Sequence, residues 1–375
     1  MADTHNDLAV LLTGGGARTA YQAGVIQAIA DWLPEHARCP FGVVTGTSGG
    51  AINAALLGAD AHDFRHAAAH LAGVWRHLRM AQVLRHDALH IYGRALRWAA
   101  SVLGGGLGGK GPRSLLDGSP LRALLERHIN FARLEHNVRV GVVRAVAVTA
   151  AGYASGRSMT FVTAQEDLVG WRRARRVGVP RTLTIEHVLA SSALPFLFEA
   201  VNVGDEYCGD GSVRDLAPLS APIHLGGRRI LVIGTRAEEP TPPLTESYPT
   251  LGRIAGTLLD ALFSDSLRAD LERLRQVNQL LAQAGPTRDE TGRDLHPIRT
   301  LVILPSEDLR TVAAHHAQRF PRSLRNILRG VGALRQGSPL ASYLLFDGAY
   351  CADLIALGRA DANARRDAIL AFMEG

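Results

Sequence analysis

The run FGVVTGTSGGAINAALL, residues 41–57, decides the fold. FGVVTG (41–46) is a short unbroken apolar stretch, the pattern of a strand buried on both faces. It turns at Thr47-Ser48-Gly49-Gly50 and resumes as AINAALL, a small-residue helix. Ser48 therefore sits on a strand-to-helix turn, inside a Gly-x-Ser-x-Gly pattern completed by Gly46 and Gly50. Such a turn projects the serine oxygen clear of the sheet, and small residues two positions to either side keep the tight backbone free of collisions. The next helix points its free N–H groups and positive dipole at negative charge developing there. The bare pattern arises by chance in a chain with 39 glycines, so its weight comes from the strand before it and the helix after it.

A second strand–turn–helix unit lies upstream. LAVLL (8–12) reads as a buried strand and breaks into Gly14-Gly15-Gly16-Ala17-Arg18 before the apolar-periodic stretch Tyr21 to Trp32. Successive glycines let backbone N–H groups converge on a small anion, which suits an oxyanion hole or a phosphate site. A dinucleotide loop needs G-x-G-x-x-G, but Thr19 holds the last glycine position, and the second strand ends in the serine turn rather than an acidic residue. No phosphate cofactor is expected. A loop that merely turns tightly is the structural alternative.

Downstream, residues 62–79 and 81–100 read as helices rich in His and Arg, closed by the glycine-rich stretch 104–111. VRVGVVRAVAVTA (138–150) reads as a long strand with SMTFV (158–162) as its hairpin partner. TIEHVLASSAL (184–194) is a helix stopped by Pro195, and RRILVIG (228–234) another buried strand. Strands alternating with helices imply an α/β fold with a mostly parallel sheet covered on both faces. The proline-rich AEEPTPP (237–243) marks a boundary between a domain at 8–235 and a mainly helical region at 236–375, expected to pack on the first. That region reads as an amphipathic helix from Leu251 to Gln283, a strand at 300–305, and helices around 321–330, 338–347 and 351–373.

A third signal is Asp210-Gly211, after the strand-like EYCG. A carboxylate on that turn can take a proton from Ser48 directly, or orient a histidine that does. His224, His296, His315 and His316 follow it in the order a triad needs, though none sits on a recognisable strand-end loop.

Together these blocks resemble the patatin-like phospholipase family. The resemblance runs over about residues 8–235, through GGGAR with AYQAGV, then GTSGGA, then ASSALPFLF (190–198), then CGDGSVRDLAPLSAPIHLGGRRILVIG (208–234). It implies a three-layer α/β/α fold and lipid acyl hydrolysis by a Ser–Asp dyad. By motif, Ser48 is then the nucleophile and Asp210 its base, and the Gly14–Gly16 backbone forms the oxyanion hole with Arg18 at its edge. Thr19 stands where the family's glycine loop often has a further glycine, and Ser212 where its aspartate motif usually has glycine or alanine. The expected substrate is a lipid or other ester, with no metal in the chemistry. A thioesterase or acyltransferase using the same acyl-serine, and a catalytically silent lipid-surface binder, are the alternatives.

Composition sets the frame. The chain has 375 residues, 47% hydrophobic and 20% charged, which excludes disorder, collagen-like repeats and a disulfide-stapled mini-protein. A net charge of +6 over this length is a weak pull on anions, and no nucleic-acid module shows itself. Cys39, Cys208 and Cys351 lack metal or disulfide spacing and read as reduced core thiols. With no signal-peptide core and no stretch of about 18 apolar residues, a cytoplasmic protein is expected, with peripheral membrane contact left open. Trp171-Arg172-Arg173-Ala174-Arg175-Arg176 reads either as a lipid-phosphate patch or as a solvated loop, and 75–113 either as a lid or as a helical insertion.

Overall fold

The computed structural model describes residues 7–85, 93, 96–97, 114, 116–165, 170–237, 248–288, 294–334 and 338–375. Most of the stretch read as a lid or insertion, and the proline-rich boundary from 238 onward, lie outside the described residues.

The apolar runs form the centre of one sheet. Strands β1 (Leu8–Leu12), β2 (Val43–Thr47), β3 (Ala145–Gly152), β4 (Ser158–Ala164), β5 (Arg172–Arg173), β6 (Arg176–Pro180), β7 (Val201–Val203), β8 (Glu206–Asp210) and β9 (Arg229–Ile233) are followed by a small hairpin, β10 (Thr287–Arg288) with β11 (Asp294–Leu295), and by β12 (Arg299–Ile303). The main order is β12-β9-β1-β2-β3-β4-β6-β5. From β12 to β3 every pair is parallel, and the remaining strands form a mixed wing in which only β4 and β6 pair parallel. Helices α1 (Ala20–Trp32) and α2 (Gly49–Ala59) follow β1 and β2, and α3 (Phe64–Arg76) follows α2.

Period-two alternation divides β1 between two cores. Leu8, Val10 and Leu12 join Tyr21, Ile26, Leu57, Phe64 and Leu354 on one face, while Ala9 and Leu11 join Ile230, Val232, Leu219 and Leu271 on the other. Burial on both sides is why these strands tolerate no polar alternation, and it produces a three-layer α/β/α architecture.

The C-terminal region is largely helical, yet it supplies β12, which pairs with β9 from Arg299↔Arg229 to Ile303↔Ile233. Sheet pairing across the boundary makes the two segments one packed body.

Two elements differ from the sequence reading. β3 begins only at Ala145, because Val138 and Arg139 end a helix, Phe131–Arg139, capped by the Asn130 side chain accepting from Arg133 N–H, and residues 140–144 turn out of it. Asn137 fastens that helix to the end of α2 by donating to the carbonyls of Gly58 and Ala59, each at 3.0 Å. The leucine-striped helix runs as Leu251–Asp260, a π-helical turn Ala261–Asp265, and Ser266–Ala284. Leu267 and Leu271 are core, but Leu258 and Leu280 are 61% and 64% exposed.

All three cysteines are free and buried. Among the described residues no helix is long and apolar enough to cross a membrane.

Candidate active site

Ser48 links β2 to α2 with φ 57° and ψ −127°, a conformation strained for a residue with a Cβ. The surroundings hold it there from both sides. Its N–H donates to Ser191 Oγ at 3.0 Å, and its carbonyl accepts from Ser192 Oγ at 3.2 Å. Ser191 is fixed in turn by donating to the Thr149 carbonyl at 2.6 Å. Gly46 and Gly50 are required because a Cβ on Gly46 would strike the Gly50 carbonyl. Ser191 and Ser192 lie within ASSALPFLF, a block that carried the family resemblance without an assigned role; the strain they maintain is what gives them one.

Sheet register brings Asp210 to the serine. Thr47 pairs with Thr149 of β3, and the next β3 residue, Ala150, pairs with Asp210 at the end of β8. The carboxylate is fully buried. Its Oδ1 accepts from Ser212 N–H at 2.9 Å, while Oδ2 is buried with no complete hydrogen bond. Burial pushes the Asp210 pKa up to about 6, against the opposing pull of hydrogen bonding from Ser48 and Ser212. Asp210 is mostly ionised at neutral pH and more basic than an ordinary carboxylate.

The glycine loop borders the same space, since Gly16, Ser48 and Gly49 line one apolar cleft. Among the described residues the N–H groups of Gly14, Gly15 and Gly16 donate to no backbone carbonyl outside the regular elements. Gly16 takes φ 54°, and a Cβ there would run into the Tyr343 carbonyl.

Arg18 faces away from this chemistry and into the C-terminal region. Nε donates to Ser342 Oγ at 2.8 Å, Nη1 to Asp260 Oδ1 at 3.1 Å, and the guanidinium lies 3.8 Å from the Tyr343 ring centroid. Tyr343 also donates to Asp260 at 2.5 Å. Burial alone would lower the Arg18 pKa, but Tyr343 and Asp260 outweigh it and the net shift is upward. The network clamps the glycine loop to the helices that follow residue 250. Asp260→Asn strips a buried cation of its counter-charge and is expected to destabilise the fold by about 3–5 kcal/mol. Denaturant unfolding of the variant checks this, and an unchanged midpoint would refute it.

Asp215 escaped the sequence reading, although it lies five residues after Asp210 in the same block. It is buried behind the nucleophile turn, where its Oδ2 accepts from Thr47 Oγ1 at 3.2 Å. Burial foremost, with the charges of Asp270 and Asp210 adding, raises its pKa to about 7, while Thr47 and Arg176 oppose the rise. The native pKa therefore lies well above the ordinary carboxylate range, and the folded state holds the extra proton. That stabilisation is full below about pH 4 and is lost as pH rises through about 7. Asp215→Asn is expected to lose less melting temperature than wild type between pH 5 and 8, and parallel curves would exclude the assignment.

The four candidate histidines are placed otherwise. His224 stacks on Trp171 at 4.9 Å and hydrogen-bonds the Ser220 carbonyl, His316 pairs with Asp353 at 2.6 Å, and His296 and His315 are exposed. Among the described residues no histidine lines the Ser48 cleft. Trp171 itself is buried, and Arg172–Arg176 form the outermost hairpin of the sheet.

The family model described as patatin-like phospholipase matches residues 10–223. No curated protein matches. Among solved structures, VipD from Legionella pneumophila aligns over 94% of this chain and 67% of its own, with 11% sequence identity and a TM-score of 0.36.

Proposed function

Because this chain belongs to the patatin-like phospholipase family, we propose that it is a serine lipid acyl hydrolase that cleaves fatty acyl esters through Ser48 and Asp210. Asp210 takes the hydroxyl proton as Ser48 Oγ attacks the ester carbonyl, and the Gly14–Gly16 amides hold the tetrahedral oxyanion. Asp210 returns that proton to the departing alcohol or lysolipid, an acyl-serine remains, and the regenerated carboxylate activates the water that hydrolyses it. The observation that carries this reading is Asp210 Oδ2, buried and short of a complete hydrogen bond beside a serine on a strained turn.

The surroundings favour an acyl substrate. Ile52, Trp75, Leu124, Phe198 and Phe346 wall the cleft at Ser48. Leu194 lines both this cleft and a second apolar one of ≈ 660 Å³, at whose rim Phe196, Leu251 and Leu258 are 71%, 70% and 61% exposed. Apolar surface of that extent fits hydrocarbon chains presented by a lipid aggregate.

The test is fatty-acid release from phospholipid–detergent mixed micelles and from soluble acyl esters, with wild type and Ser48→Ala. Release by wild type alone supports the proposal, and no release from either substrate overturns it. The rate constant kcat/KM should climb with pH through about 6 as Asp210 ionises, whereas a flat profile from pH 5 to 8 would contradict a carboxylate base.

A further inference from the structure

We propose that His66, His70 and His128 form a binding site for a divalent transition-metal ion of the zinc type, separate from the catalytic cleft. His66 and His70 lie one turn apart on α3, with ring centroids 6.0 Å apart. His128 ends the helix Ser119–His128, and its ring lies 5.3 Å from that of His70.

The decisive distance is between His70 Nε2 and His128 Nδ1, 3.1 Å. Two imidazole nitrogens each about 2.0–2.1 Å from a tetrahedral ion lie about 3.3–3.4 Å apart, so a shift of a few tenths of an ångström admits the ion between them. The other nitrogen of His70 is already oriented as metal-bound histidines require, with Nδ1 2.7 Å from Asp60 Oδ2. Asp60 is 1% exposed, and its second oxygen is held by Arg133, so it serves as a fixed anchor behind His70. Ligand atoms of His66, His70 and Asp60 all fall within 4.8 Å of one another, so His66, one turn before His70 on the same face of α3, needs only a turn of its side chain to join the pair. His66 is exposed and provides the route of entry.

The location gives the ion a consequence. Val74 and Trp75, near the far end of α3, and Leu121, Leu124 and Leu125, on the helix ending in His128, line the cleft at Ser48. An ion joining the two helices would therefore brace two walls of that cleft. The binding itself does not depend on the hydrolase reading.

The experiment is calorimetric titration of zinc chloride into the chelator-treated full chain, paired with thermal unfolding. Wild type is expected to take up one zinc per chain and to melt at a higher temperature with it. His66→Gln, His70→Ala and His128→Gln should each weaken binding by at least about tenfold, and Asp60→Asn by about 10–100-fold. His316→Ala, which removes another carboxylate-paired histidine, should leave binding unchanged. His66→Gln changes only an exposed side chain, so it remains informative if a buried variant fails to fold. Absence of one-to-one binding, or binding indifferent to His66→Gln and His128→Gln, would overturn the site and leave the histidines as a hydrogen-bonded tie.

Discussion

Asp210→Asn is expected to lower kcat/KM by about 10⁴-fold while the protein stays folded, a loss of the order seen when serine hydrolases lose the triad carboxylate. Asparagine has nearly the same shape and can still accept from Ser212 N–H, so the end of β8 should keep its place. What disappears is the group proposed to take the proton from Ser48. Because the native carboxylate is held with a pKa of about 6 by burial, removing its charge relieves a desolvation penalty, and melting temperature at neutral pH should not fall. Steady-state kinetics with a soluble ester, together with a melting curve, read both effects. Activity within tenfold of wild type would remove Asp210 from the role of base.

Gly15→Pro is expected to reduce kcat by about 10²–10³-fold or more with Ser48 and Asp210 both intact, the usual effect of losing one oxyanion donor. Gly15 has φ 162°, far from the value near −65° that proline imposes, and proline carries no N–H. The loop cannot relax freely around the change. Thr235 Oγ1 donates to the Gly14 carbonyl at 2.8 Å, and the Tyr343 carbonyl sits against Gly16. Circular dichroism separates lost donation from lost folding. Wild-type turnover in a folded variant would show that the loop does not hold the oxyanion.

What was legible in the sequence was local. The apolar runs 8–12 and 43–47 announce buried strands, and the glycines after them announce the two turns that carry Gly14–Gly16 and Ser48. The Val-rich run at 138–144 misled because composition cannot reveal that Asn130 and Asn137 commit its first residues to a helix. From its own neighbourhood Asp210 was legible only as a turn with a carboxylate, and the family resemblance alone paired it with Ser48, since their proximity depends on the antiparallel register of β8 on β3. The Arg18–Asp260 pair joins positions 242 residues apart, and neither residue is remarkable in its own neighbourhood of sequence. Arg18 accordingly read as the rim of the oxyanion hole, whereas its guanidinium ties the loop to the C-terminal helices.

This division has a physical cause. Turn chemistry and burial periodicity are properties of a few consecutive residues. A reactive site is assembled from side chains that meet only when strands from separate parts of the chain find their register.

The most direct test of the central claim is covalent reaction with a fluorophosphonate, read by intact mass and peptide mapping on wild type, Ser48→Ala, Asp210→Asn and His224→Ala. The account predicts one adduct on Ser48, absent from Ser48→Ala, strongly slowed in Asp210→Asn and formed at the normal rate in His224→Ala. An adduct at another residue, or none in folded wild type with or without lipid vesicles, would contradict an activated Ser48.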